Sequence, residues 1–154
     1  MQTQQLSTLQ FVSATEWTPT LLAEYRSVDG ACFREELRYT DEELEHRQQR
    51  PFFEVTLGYC AGIPSVILLV YQYEQSEYLY LDTIAVKDKG QGIGSVVLQT
   101  LLDNVSTYQW KGLVLDTEHT NEDNYGLVEY YQKKGFVIMH EEDDNVTMLY
   151  SVDN

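Results

Sequence analysis

The chain has 154 residues, 43% hydrophobic and 23% charged, which suits one globular domain with a real core and excludes disorder, collagen-like repeats and fibrous heptads. Asp and Glu total 25 against 10 Lys and Arg, a formal net charge of −15. Such a field repels nucleic acid and attracts polyamines, lysine side chains or basic peptide termini, unless it serves solubility alone.

No aliphatic run exceeds residues 66–70, far short of the ~20 residues a membrane span needs. Residues 1–10 lack both a basic flank and an apolar stretch, which predicts no secretory signal. Cys32 and Cys60 are too few for a disulfide framework and sit at no metal-ligand spacing. His46, His119 and His140 are equally scattered. The expectation is a reduced cytoplasmic protein with no metal, no nucleic-acid partner and no membrane contact.

Residues 6–14 read as a strand. Thr18 and Pro19 then supply an N-cap and a proline at the first helical position. Leu21, Leu22, Tyr25, Val28 and Cys32 continue at helical spacing, predicting a helix to about residue 33. Thr40 and Glu43 form a capping box with an acidic first turn behind it. Residues 52–60 and 65–73 are β-rich and joined across Gly62-Ile63-Pro64, a hairpin signal. Residues 78–86 form a third such run, and glycines follow it.

From Ser95, the positions Val97, Leu98, Leu101, Leu102 and Val105 mark an amphipathic helix. Residues 113–116 read as a short strand. Residues 124–134 read as a helix with Leu127, Val128 and Tyr131 on its apolar face and Gly135 as its stop. Residues 136–139 and 146–152 form a last strand pair around an acidic turn. The order β-α-α-β-β-β-α-β-α-β-β describes one α/β (α+β) domain over residues 1–154.

The glycine-rich turn between the third β-run and its helix carries the chemistry. Gly90, Gly92 and Gly94 let backbone N–H groups converge with no Cβ in the way, and the helix that follows adds its positive end. This describes a pyrophosphate cradle, or a plain strand-to-helix turn. A P-loop is excluded, because no Lys-Ser or Lys-Thr follows the glycines. A dinucleotide fingerprint needs glycine where Ser95 stands, although Asp116 imitates its ribose-binding acid.

Lys89-Gly90-Gln91-Gly92-Ile93-Gly94 resembles motif A of the GNAT acyl-CoA N-acetyltransferase superfamily, Arg/Gln-x-x-Gly-x-Gly/Ala, with Lys in place of the first Arg or Gln. One helix and one strand later, Asn124-x6-Tyr131-x3-Gly135-Phe136 resembles the superfamily's motif B. The two blocks stand in register with the expected elements between them. The resemblance implies a mixed, mostly antiparallel sheet flanked by helices, and transfer of an acetyl group from acetyl-CoA to a primary amine. A polyamine, an amino acid, a protein N-terminus and a lysine are all candidate acceptors.

The same resemblance implies roles residue by residue. The backbone of Ile84, Ala85 and Val86 would pair with the pantetheine arm, and Lys89, Gly90, Gln91, Gly92, Ile93, Gly94 and Ser95 would hold the pyrophosphate. Asn124 would contact the CoA chain, or merely cap its helix. Tyr131 would reprotonate the departing thiolate, since a phenol with a pKa near ~10 keeps its proton at neutral pH; from spacing alone it reads as core. Asp82 would be the general base, on the strand face it shares with Ile84 and Val86, with Asp116 and Glu118 as rivals.

Tyr71, Tyr73, Tyr78 and Tyr80 either line a substrate cleft or pack across strands. Family members often pair through their last strands, which makes residues 146–152 a candidate dimer edge. A non-catalytic acyl-CoA-binding module and a nucleotide-binding domain are the alternatives.

Overall fold

A computed structural model describes residues 9–88, 90–118 and 126–152. The elements follow the predicted order: β1 (Leu9–Ala14), α1 (Pro19–Cys32), a single 3-10 turn (Glu35–Leu37), α2 (Asp41–Gln48), β2 (Glu54–Cys60), β3 (Ile63–Gln72), β4 (Tyr78–Val86), α3 (Ile93–Thr107), β5 (Gly112–Glu118), α4 (Leu127–Lys133), β6 (Val137–Glu142) and β7 (Asn145–Ser151). The strands form one sheet in the order β1-β2-β3-β4-β5-β7-β6. β4 and β5 run parallel, a pairing that requires a crossover, and α3 is that crossover. β1–β2, β2–β3, β5–β7 and β6–β7 are antiparallel, as expected for a mixed, mostly antiparallel sheet.

The chain divides into two compact units. One comprises residues 1–71 and 83–100, the other residues 72–82 and 101–154. In the first, Val55, Leu57, Val66, Ile67 and Leu69 are fully buried, so β2 and β3 are near-continuous apolar runs. Thr18 caps α1 by accepting from the Leu21 N–H at 3.1 Å, and Thr40 and Glu43 close the predicted capping box of α2. Trp17 packs edge-on against Tyr25 at 5.2 Å and donates its indole N–H to the Leu44 carbonyl at 3.0 Å. Arg26 bridges buried Asp29 at 2.8 Å and Asp41 at 2.7 Å, tying α1 to the start of α2.

In the second unit, Leu113, Val114 and Leu115 of β5, Val146 and Met148 of β7, and Val128 and Phe136 are buried. Gly112 is required at its place, because a Cβ there would run into the Tyr150 carbonyl of β7. Gly135 takes φ +103° just past α4, the left-handed stop predicted for it.

Several boundaries differ from expectation. β2 starts at Glu54 because Phe52 adopts φ +61°, which strand backbone cannot use. α3 starts two residues early, at Ile93, with Gly94 inside it. α4 starts at Leu127, with Gly126 in the cap position, so Asn124 is not the cap of this helix; it lies outside the described residues. β6 continues through His140, Glu141 and Glu142. The candidate dimer edge is corrected too: β7 has β5 on one side and, over residues 145–149, β6 on the other, so it is an inner strand of the sheet. The edge belongs to β6, where Val137, Ile138 and Met139 are exposed.

Candidate functional site

β4 places alternate residues on opposite faces. Leu79, Leu81 and Ala85 are buried, while Tyr80, Asp82, Ile84 and Val86 share the other, half-buried face. Ala85 and Ile93, both predicted to touch a cofactor, turn their side chains into the core, at 7% and 1% exposure. Any contact they make with a ligand is made by backbone.

In the first unit, the Lys87 N–H donates to the Ser65 carbonyl of β3 at 2.9 Å, anchoring the end of β4 before the glycine turn. Gly90 and Gly92 take φ +80° and +76°, left-handed backbone that glycine supplies without strain. A Cβ at Gly90 would meet nothing within 4 Å, so the turn faces open space. α3 follows at once, its ladder opening with the Val96 N–H on the Gly92 carbonyl at 3.3 Å. The start of a helix directs N–H groups and a partial positive charge outward. No acidic residue stands in the first turn of α3 to oppose an anion there. Gly90, Gln91, Gly92, Ile93, Gly94 and Ser95 therefore fit a phosphate-bearing ligand, whereas Lys89 lies outside the described residues.

The titratable candidates belong to the second unit. Tyr131 is half-buried on α4, edge-on to Tyr130 at 5.3 Å and to Phe136 at 5.5 Å. Among the described residues none hydrogen-bonds its hydroxyl. Burial, with a smaller push from Tyr130, carries the phenol up to about 12, so it holds its proton throughout the neutral range.

The pairing of β4 with β5 ends at Leu81–Leu115. Asp82 and Asp116 are the first residues beyond it on their strands. Asp116 accepts from Tyr80 Oη at 2.7 Å, from Thr147 Oγ1 at 2.5 Å and from Asn145 Nδ2 at 3.0 Å. Partial burial pushes its carboxyl up, but these three hydrogen bonds outweigh that and hold it below the ordinary value. The Tyr73 ring stacks on Tyr80 at 5.8 Å with 23° between planes. Glu118, the other rival base, is exposed further along β5.

Of the four tyrosines read as cleft or packing residues, Tyr73 and Tyr80 come together at Asp116. Tyr71 is buried with the Arg50 guanidinium 4.7 Å over its ring, and Tyr78 packs beside Gly112. The Asp116 constellation is absent from the sequence reading. Its sequence signal is slight: Tyr80, Asp116 and Thr147 sit at alternating strand positions, but the β5–β7 register that unites them is not local. Among the described residues no group of His, Cys, Asp and Glu is placed to hold a metal ion, and no helix is long and apolar enough to cross a membrane.

No protein-family model matches the sequence, and no curated protein does. Solved structures do share the fold. The ribosomal-protein-S18-alanine N-acetyltransferase from Escherichia coli superposes with a TM-score of 0.73 at 14% identity, covering 93% of this chain and 94% of that one. An acyl-CoA N-acyltransferase from Pseudomonas aeruginosa gives 0.74 at 14% identity over 93% and 99% of the two chains. A GNAT family acetyltransferase from Elizabethkingia anophelis, solved with acetyl-CoA bound, gives 0.68 at 17% identity over 94% and 99%. The chain has the fold of the GNAT acetyltransferases.

Proposed function

We propose that the protein is an acetyl-CoA-dependent N-acetyltransferase acting directly on a primary amine in the cytoplasm. The observation that carries this reading is the glycine turn: two left-handed glycines open to solvent between β4 and the start of α3, within a fold shared with an acetyl-CoA-bound acetyltransferase. Backbone N–H groups of residues 90–95 hold the pyrophosphate, and the half-buried face of β4 at Ile84 and Val86 lies alongside the pantetheine arm. Acetyl-CoA supplies the acetyl group as a thioester.

Asp82 takes the proton from the attacking amine, directly or through water. It is preferred over Asp116, whose three hydrogen bonds stabilise the anion and make it a weaker base. N–H groups of β4 steady the oxyanion. Tyr131 returns a proton to the thiolate. Burial raises the pKa of thiols as it does that of phenols, so a desolvated thiolate still competes for the Tyr131 proton. Transfer is direct, with no acetyl-enzyme: Cys60 is buried away from any substrate. The net charge of −15 favours a cationic acceptor such as a polyamine, a lysine or a basic peptide terminus.

The test is thermal unfolding with acetyl-CoA, CoA, NAD or ATP. At ~100 times its dissociation constant a ligand stabilises by about 2.7 kcal/mol, a rise in Tm of roughly 5–10 °C for a chain of this size. A rise with acetyl-CoA and CoA alone is expected, followed by thiol release on adding amines. No rise with either, or a larger one with NAD, refutes the proposal. Binding without thiol release from any amine would leave the acyl-CoA-binding module instead.

A further inference from the structure

Asp116 is held in a way that an exposed carboxylate does not need. Water satisfies such a group at no structural cost, yet Tyr80 from β4 and Asn145 and Thr147 from β7 converge on it. All three donors are neutral. Among the described residues no Lys, Arg or His pairs with Asp116, so none of them neutralises the charge that these donors hold in position. A carboxylate offers about four acceptor positions. Two donors reach Oδ1 and one reaches Oδ2, so among the described residues a position on Oδ2 beside the Tyr80 hydroxyl takes no donor. Tyr80, whose hydroxyl lies on Oδ2, stacks with Tyr73, and aromatic rings attract cations. A fixed anion beside an aromatic pair is chemistry for an organic ammonium group, supported from behind by residues that set its orientation.

We propose that Asp116, with the stacked rings of Tyr73 and Tyr80, is the subsite that binds the ammonium group of the acceptor, so the substrate enters as a cation. Asp116 is then a binding residue, with Thr147 and Asn145 as its positioning residues. The inference deepens the acetyltransferase reading and rests on it for the word acceptor; the cation site itself is measurable without turnover.

The experiment is an NMR titration of the full chain with n-butylammonium chloride, with 1-butanol as the neutral probe of similar shape, following the Tyr73 and Tyr80 ring signals and the Thr147 methyl. Saturable shifts with butylammonium and none with butanol are expected. Asp116→Asn should raise the dissociation constant at least tenfold, whereas Glu142→Gln, which removes the same charge from neighbouring β6, should leave it within twofold. Tyr73→Leu keeps the carboxylate and should weaken binding about threefold or more, which preserves the test if Asp116→Asn does not fold. Equal shifts with butanol, unchanged binding in Asp116→Asn, or equal weakening in Glu142→Gln overturns the subsite. Acetyl-CoA stabilisation measured on the same sample separates the two readings: butylammonium shifts that depend on Asp116, without any effect of acetyl-CoA, would remove the acetyltransferase and leave the cation site.

Discussion

Replacing Tyr131 with Phe separates a packing tyrosine from a working acid, and the two parts of the outcome have calculable sizes. The phenol pKa stands at about 12 in the folded chain against 10.0 for an ordinary tyrosine. Because the folded value is the higher one, the native state is favoured while the proton is on; that advantage is complete below about pH 10 and disappears as pH rises to about 12. Across this window the natural chain loses roughly 2–3 kcal/mol through Tyr131, about half of it by pH 11. The variant has no phenolic proton to lose at this position. Urea unfolding of both proteins at pH 8 and pH 11 should therefore show Tyr131→Phe gaining roughly 1–2 kcal/mol relative to the natural chain between the two pH values. At pH 8 the variant should be at least as stable, because no described residue hydrogen-bonds the hydroxyl it removes. Thiol release at pH 7.5 should nevertheless fall about 100-fold or more, the usual contribution of a general acid. An unchanged pH dependence would refute the burial argument, and turnover within threefold of the natural chain would refute the acid.

Gly94→Ala should leave the unliganded fold intact, since its Cβ would meet only Val86 Cγ2 at 3.9 Å, and should raise helix stability by about 0.5–1 kcal/mol. Titration calorimetry should show weaker acetyl-CoA binding if the backbone there approaches a ligand; undiminished affinity would place the ligand elsewhere. Gly112→Ala drives a Cβ into the Tyr150 carbonyl, so urea unfolding should show a loss of about 1–3 kcal/mol or more, and a neutral result would contradict the close approach of β5 and β7. Asp116 contributes stability at neutral pH because its carboxyl is held below 3.8 by its donors against the opposing effect of burial. As pH falls through its folded value that contribution is lost, so the gap between the natural chain and Asp116→Asn should narrow below about pH 4.

Local signals carried the elements well. Thr18 with Pro19, the Thr40–Glu43 pair and the glycine after α4 act over one turn of chain, and each does in the structure what its chemistry dictates. The near misses are local conflicts. Gly94 reads as loop but lies within the first turn of α3, and the polar half of β6 shows no alternation because it is exposed throughout. Non-local facts stayed hidden. Nothing in residues 146–152 announces that β7 slots between β5 and β6. The partners of Asp116 lie 29, 31 and 36 residues away, so no spacing rule gathers them. The glycine turn was legible because its chemistry is one contiguous stretch; the Asp116 constellation was not, because it exists only after three strands pair.

That strand order also sets a sequence of events for the growing chain. β6 is synthesised before β7, yet β7 is its neighbour in the sheet, and β5 finds its antiparallel partner across the intervening α4 and β6. Until β7 has left the ribosome, β5 waits with one side unpaired and β6 has nowhere to dock. Assembly of this part of the sheet is thus a late, concerted step, slowed by long-range closure and exposed to misassociation while it waits. A chain halted just before β7 would lack two sheet strands rather than one.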